Sequence, residues 1–268
     1  MHKKETALLL DIEPQSGLPV SIDTATGEFH FGGDLNTPTL RTRMLHELDP
    51  VWANPVSETD RPIYRVTGPV WFRQDADIWK NAKVCYGIVY FHPGTFGGEY
   101  VKSSGQYHAI EPGQTAATPE VYTVLAGKGH FMLQKSKPPY EDITDAVLVE
   151  VNAGESFIVP PDYGHLQINP ADEPLVFSYC VADPLTSNYE PYQRFHGAMY
   201  YELAGAADQF KFNTRYPKRV PLRVIQASAL RQATFLDEQV DYATLKRNLK
   251  NLRFLVSANE FPDHAGLY

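Results

Sequence analysis

The chain has 268 residues, 43% hydrophobic and 21% charged, enough to bury the core of one large domain or two small ones without disulfide or metal staples. With 24 Lys plus Arg against 32 Asp plus Glu the formal net charge is −8, the wrong sign for neutralising phosphate backbones, so no nucleic-acid partner is expected. The longest apolar runs, such as Ala7-Leu8-Leu9-Leu10, are far short of the ~20 residues of a membrane span and too short for a secretory h-region, which reads as a soluble, cytoplasmic chain with no membrane partner.

The only cysteines, Cys85 and Cys180, are far apart and outside any Cys-x-x-Cys pair, which excludes a zinc ribbon, a thioredoxin-type motif and a disulfide framework. Both read as core thiols. The 16 Tyr and 14 Phe, with 21 Pro and 18 Gly, suggest aromatic strands punctuated by turns, and hence an all-β core.

Residues 1–60 are broken by Pro14, Gly17-Leu18-Pro19, Gly32-Gly33 and Asn36-Thr37-Pro38, and read as an arm laid over a core, with a short helix expected between Thr39 and Leu48. From residue 61 to 185 the pattern becomes that of a barrel. Strands are expected at Ile63–Val66, Val84–Phe91, Glu99–Ser103, Val121–Leu125, His130–Gln134, Ala146–Val151, Ser156–Val159, Leu166–Ile168 and Leu175–Val181, with Gly127-Lys128-Gly129 reading as a hairpin turn. Residues 186–268 form a C-terminal extension. Within it Tyr242, Leu245, Leu249 and Leu252 recur at helical spacing and predict an amphipathic helix over Asp241–Leu252, read as a structural and dimer element.

Two stretches carry chemistry. Gly98 to Gly129 holds Gln106-Tyr107-His108 before a polar loop and Glu120 after it, and Gly154 to Asn169 holds His165. Residues two apart on a strand share a face, so Gln106 and His108 can point together into a barrel, where neighbouring strands add Glu120 and His165. Two imidazoles and a carboxylate with open positions suit a catalytic divalent metal. Gln106 reads equally as a metal ligand or as a hydrogen-bond partner just outside the metal shell. The other histidines read as packed or solvent-facing, although His130 lies near enough in sequence to be considered as a substitute ligand.

These stretches are similar to the two cupin motifs, G(X)5HXH(X)nEX6G and GX5PXGX2HX3N. Glu120 is followed by six residues and Gly127, and Gly154, Pro160, His165 and Asn169 fall at the second motif's spacing, with Asp162 where the motif has Gly. Within the cupins the chain resembles the cupin-type glucose-6-phosphate isomerases through Gly98-Glu99-Tyr100-Val101-Lys102-Ser103-Ser104-Gly105-Gln106-Tyr107-His108, then Pro119-Glu120-Val121-Tyr122, then Val159-Pro160-Pro161. An arm similar to I-D-x-x-T-G-x-F between Ile22 and Phe29 and the segment from Ala182-Asp183 to Tyr189 extend the likeness over roughly residues 16–190.

The resemblance implies a double-stranded β-helix, or jelly-roll, barrel with an N-terminal arm and a C-terminal helical extension, a homodimer, and interconversion of glucose 6-phosphate and fructose 6-phosphate in glycolysis and gluconeogenesis. It implies one divalent metal ion, with iron, manganese, nickel and zinc undistinguished, on His108, Glu120, His165 and Gln106. Glu120 then serves as base or metal ligand, Lys102 and Ser103 with backbone amides near Gly105 hold the phosphate, and Tyr122 and Tyr189 contact the sugar. Three departures bear on function: Gln106 for the first motif histidine, Ser103 for a threonine, and Ser187 where the family has a histidine ahead of Tyr189. Gln106 and Ser187 favour the alternative of a cupin that binds a sugar or sugar phosphate without isomerising it. A metal-dependent dioxygenase, which ordinarily wants more histidines around its iron, is the remaining reading.

Overall fold

The computed structural model describes residues 8–230 and 240–262. The outer ends of the expected arm and extension, residues 1–7 and 263–268, and the stretch 231–239 lie outside the described residues.

Strands form where β-branched and aromatic residues cluster between turn residues. Val84–Phe91 and Ser156–Val159 have the bounds expected of them, and Tyr163–Asn169 is longer than the expected Leu166–Ile168. They assemble into two six-stranded sheets. The first runs Ser156–Val159, Glu120–Ala126, Leu175–Ala182, Val84–Phe91, Pro62–Gly68, Thr39–Met44, and the second Leu222–Gln226, Asp145–Asn152, Lys128–Lys135, Tyr163–Asn169, Glu99–Lys102, Thr95–Phe96. All pairs within them are antiparallel except the one Leu222–Gln226 makes with Asp145–Asn152. Two facing sheets joined at covalent corners form a double-sheet jelly roll.

Period-two alternation divides the side chains between two cores. Along Val84–Phe91, Val89 and Phe91 point between the sheets, whereas Tyr86, Ile88 and Tyr90 join a second cluster on the outer face. That outer cluster is closed by Ile12, Leu18, Val20 and Ile22 from the N-terminal side and by Val240, Tyr242, Leu245 and Leu252 from the C-terminal side. Burying each such side chain contributes about 1.5–3 kcal/mol.

Four local expectations are corrected. The helix expected between Thr39 and Leu48 is a strand, Thr39–Met44, followed by a 3-10 turn, Leu45–Val51. Pairing with Pro62–Gly68 decides this, because tertiary hydrogen bonding overrides a weak local propensity. Strand pairing therefore crosses the arm–barrel division at residue 60. Gly127 makes a corner and not a hairpin: Glu120–Ala126 and Lys128–Lys135 belong to different sheets. Its φ is 76°, and a Cβ there would lie 2.4 Å from the Pro174 carbonyl oxygen, so only glycine fits the crossing.

The C-terminal helix is shorter than its apolar stripe. Asp241 caps it by accepting the Thr244 N–H at 2.7 Å, but regular helix spans only Tyr242–Arg247. Beyond it the Asn248 amide donates to the Thr244 carbonyl at 2.9 Å, and Asn side chains that bond backbone in this way compete with the helix ladder. The expectation of two core thiols holds for Cys180, which is buried, while Cys85 is only partly so. Among the described residues no helix is long and apolar enough to cross a membrane.

Candidate functional site

The site is assembled across the facing sheets. Gln106 exchanges backbone hydrogen bonds with His165, N–H to carbonyl at 3.0 and 2.9 Å. Tyr107–His108 then pairs with Ser187–Asn188. Alternation sends Gln106 and His108 inward and Tyr107 outward, where its ring lies so close to Gly164 that a Cβ there would meet it at 2.5 Å. Glu120 opens its strand in the first sheet, and His165 lies on Tyr163–Asn169 in the second.

His108, Glu120 and His165 are 2%, 3% and 0% exposed. One ligand atom from each can be chosen with all three within 4.8 Å of one another. Glu120 Oε2 lies 3.4 Å from His108 Nε2 and 3.2 Å from His165 Nε2. The Gln106 amide nitrogen lies 3.3 Å from His108 Nε2 and 3.4 Å from His165 Nε2.

Tautomer and burial define what this cluster lacks. His108 Nδ1 lies 2.8 Å from the Thr118 carbonyl oxygen, an acceptor only, so Nδ1 carries the proton and Nε2 presents a lone pair to the centre. Burial, reinforced by His165 and opposed by Glu120, lowers the His108 pKa to about 4 and keeps the imidazole neutral at pH 7. Glu120 Oε2 is buried with no hydrogen-bond partner. In this arrangement the Gln106 amide is the donor facing the two Nε2 atoms, and Glu120 Oε2 is left without one. Ligands sharing one ion at ~2.1 Å are spaced about 3–3.5 Å apart, and the 3.4 and 3.2 Å from Glu120 Oε2 to the two imidazoles fall in that range. Two imidazoles, a carboxylate and an amide that can turn its oxygen inward therefore fit a divalent metal.

A cavity of about 210 Å³ opens beside the cluster, bordered by Gln106 and Glu120. Its lining includes the expected residues Ser103, Tyr122 and Tyr189. The Tyr122 hydroxyl accepts from the Gln167 amide at 2.9 Å. Burial raises the Tyr122 pKa well above its ordinary range, and the neighbouring Glu120 carboxylate adds to this. Ser103 Oγ accepts the Gln167 N–H at 3.1 Å.

Two expectations fail here. Lys102 does not face the cavity, since adjacent residues on a strand point to opposite sides and Ser103 takes the inner one. Its buried ammonium pairs with Glu99, donates to the Val51 carbonyl at 2.8 Å and lies 4.9 Å from the Trp52 ring. His130, considered as a substitute ligand, faces away as well. Leu133 is the cross-strand partner of His165, and the odd offset of three turns His130 to the other face, where Nδ1 meets Glu202 at 2.8 Å.

The lining also holds two cations that sequence reasoning missed, Arg41 and Arg43. They lie on the edge strand expected to be helical, where their spacing of two puts both on one face. Arg43 bonds Glu47 at 2.9 Å through Nη1 and lies 5.7 Å over the Tyr189 ring.

The family model described as glucose-6-phosphate isomerase (GPI) matches residues 43–218. The chain belongs to the glucose-6-phosphate isomerase family. The match takes in the cupin stretches at Gly98–Gly129 and Gly154–Asn169 and so covers the whole ligand cluster. The glucose-6-phosphate isomerase of Thermococcus litoralis is 29% identical over 126 residues, 47% of this chain and 57% of that protein. That of Pyrococcus furiosus is 29% identical over 126 residues, covering 58% of its length. The chain thus spans less than two thirds of the length of these curated relatives.

Among solved structures the chain is similar to an oxalate oxidase in complex with the substrate analogue glycolate, at TM-score 0.32 and 18% identity over 42% of this chain and 49% of that one. It is also similar to Bacillus subtilis oxalate decarboxylase at pH 4.6, at TM-score 0.33 and 20% identity over 47% of this chain and 27% of the other.

Proposed function

We propose that the chain is a metal-dependent aldose–ketose isomerase interconverting glucose 6-phosphate and fructose 6-phosphate. The observation that carries this is the convergence of His108, Glu120 and His165 around an unpartnered buried carboxylate oxygen at the border of a cavity that also presents two arginines.

The reaction moves a hydrogen between C1 and C2, which needs a base beside both carbons and stabilisation of charge developing on their oxygens. A divalent metal held by His108, Glu120 and His165, with Gln106 as a weaker amide ligand, supplies the Lewis acidity for that charge. Glu120 borders both the ligand cluster and the cavity, so its carboxylate is the group that takes the proton from one carbon and returns it to the other. Tyr122 holds the carboxylate side of the cavity through its bond to Gln167, and the apolar walls at Val89, Phe91 and Phe177 exclude water. Ser103 and Tyr189 contact the sugar phosphate.

Arg43 replaces Lys102 as the cation for the phosphate. Tyr189, over which it lies, follows the Ser187–Asn188 strand that pairs with Tyr107–His108, so the guanidinium is held toward the Gln106 end of the cavity. One of its five N–H donors is engaged by Glu47, leaving others for an anion.

A coupled assay of Glu120→Gln tests the reading: turnover is expected to fall about 10²–10⁴-fold. Unchanged turnover would remove Glu120 from the chemistry. Gln106 supports a second reading, a sugar-phosphate binder without turnover, because a neutral amide holds a borderline metal less tightly than imidazole.

A further inference from the structure

Asp162 stands where the second cupin motif has glycine, and its backbone shows the reason for that preference: φ is 68°, the left-handed region that glycine adopts freely and Asp better than most residues. Here the position carries a side chain that is put to use. Asp162, 8% exposed, accepts the Ala117 N–H through Oδ1 at 2.9 Å and pairs with Lys137 Nζ through Oδ2 at 3.2 Å. Its carbonyl accepts the Ser136 N–H at 3.1 Å.

Both ends of the Asp162–Ala117 bond lead to ligands. Ala117 adjoins Thr118, whose carbonyl orients the His108 ring at 2.8 Å, and lies three residues before Glu120. Asp162 lies three residues before His165. We propose that Asp162 is a positioning residue that ties the loop between His108 and Glu120 to the turn entering His165, fixing the three strong ligands relative to one another. The proposal rests on the reading of that trio as a metal site. It also gives the two motif departures a common logic. A set weakened by an amide at Gln106 gains most from strong ligands that need no ordering when the ion arrives.

The Lys137 pair is largely solvent-facing on its lysine side and contributes little. The acceptor oxygen is what matters. Asp162→Gly removes it while easing the backbone, and Asp162→Asn keeps an oxygen at Oδ1 and tolerates the same φ.

In full-length protein stripped of metal, Asp162→Gly is expected to speed amide exchange at Ala117 and, in chelator competition, to weaken zinc binding about 10-fold. Asp162→Asn should restore both, with thermal midpoints measured alongside to verify folding. Wild-type Ala117 exchange or zinc affinity in Asp162→Gly would overturn the positioning role alone. An Asp162→Asn variant as impaired as Asp162→Gly would overturn it too, since the charge toward Lys137 would then be the active feature. A wild-type chain with no zinc affinity would overturn the metal reading and the role built on it together.

Discussion

Gln106 is held by its backbone exchange with His165, so its side chain faces His108 and His165 whatever residue occupies the position. Gln106→His should therefore tighten metal binding by about 10–100-fold, read by metal content after dialysis. If turnover rises with it, the isomerase reading gains; if occupancy alone rises, the binder reading does. Arg43→Gln should raise KM for the sugar phosphate by about 10–100-fold with kcat little changed, because a charge-assisted bond of about 1.5–3 kcal/mol is lost. An unaltered KM would place the phosphate elsewhere.

A pH dependence also belongs at this scale. His92 is lowered from 6.5 to about 4 by burial and by Arg65 and Arg61, and His108 in metal-free protein is lowered over the same window. Between those values the unfolded chain binds protons that the folded chain does not, so stability rises with pH from about 4 to 6.5 and is lost as pH falls through that window. Urea midpoints across the window should show the slope in metal-free protein, and His92→Gln should reduce it.

Strands were legible wherever β-branched and aromatic residues ran uninterrupted, as in Val84–Phe91, because burial on both sheet faces leaves a nearly continuous apolar signature. His108, Glu120 and His165 were legible through motif spacing. What failed was pairing. Gly127 looks like a hairpin because a glycine corner between sheets and a glycine turn within one have the same local composition. Thr39–Met44 has too little apolar content to advertise an edge strand, and with it Arg41 and Arg43 were hidden as members of one strand face. The resemblance offers Lys102 and Ser103 together for the phosphate, but alternation along the strand separates the two, and only Ser103 lines the cavity. Gly127→Ala should cost about 1–3 kcal/mol, from the left-handed φ and the Pro174 carbonyl together, measured by denaturant midpoint. A neutral effect would mean the corner is pliable.

Over the whole molecule, segments from both sides of the barrel, residues 12–22 and 240–252, brace the outer face of the sheet that carries Glu120. Tyr242 from the C-terminal extension accepts from Trp79 at 2.7 Å and donates to Asp75 at 3.0 Å, and Lys246 reaches the same Asp75 at 2.8 Å. Sequence periodicity found this helix but had no means of finding its partner, 163 residues away. Near the end of the described chain, Asn259 bonds Thr115 N–H at 2.9 Å and its hydroxyl at 2.8 Å, gripping the loop between His108 and Glu120 from outside. Tyr242→Phe should lower stability by about 1–3 kcal/mol, read by denaturant midpoint, because buried Trp79 loses its acceptor while Asp75 loses one donor and keeps Lys246.

The proposed function joins two things, a divalent metal on the buried trio and isomerisation of a hexose phosphate in the cavity beside it. Its most direct test is fructose 6-phosphate turnover by the purified chain loaded with metal, stripped by chelator and reloaded. Turnover should be lost on stripping and recovered on reloading. Turnover at background in protein shown to retain its metal would contradict the proposed function.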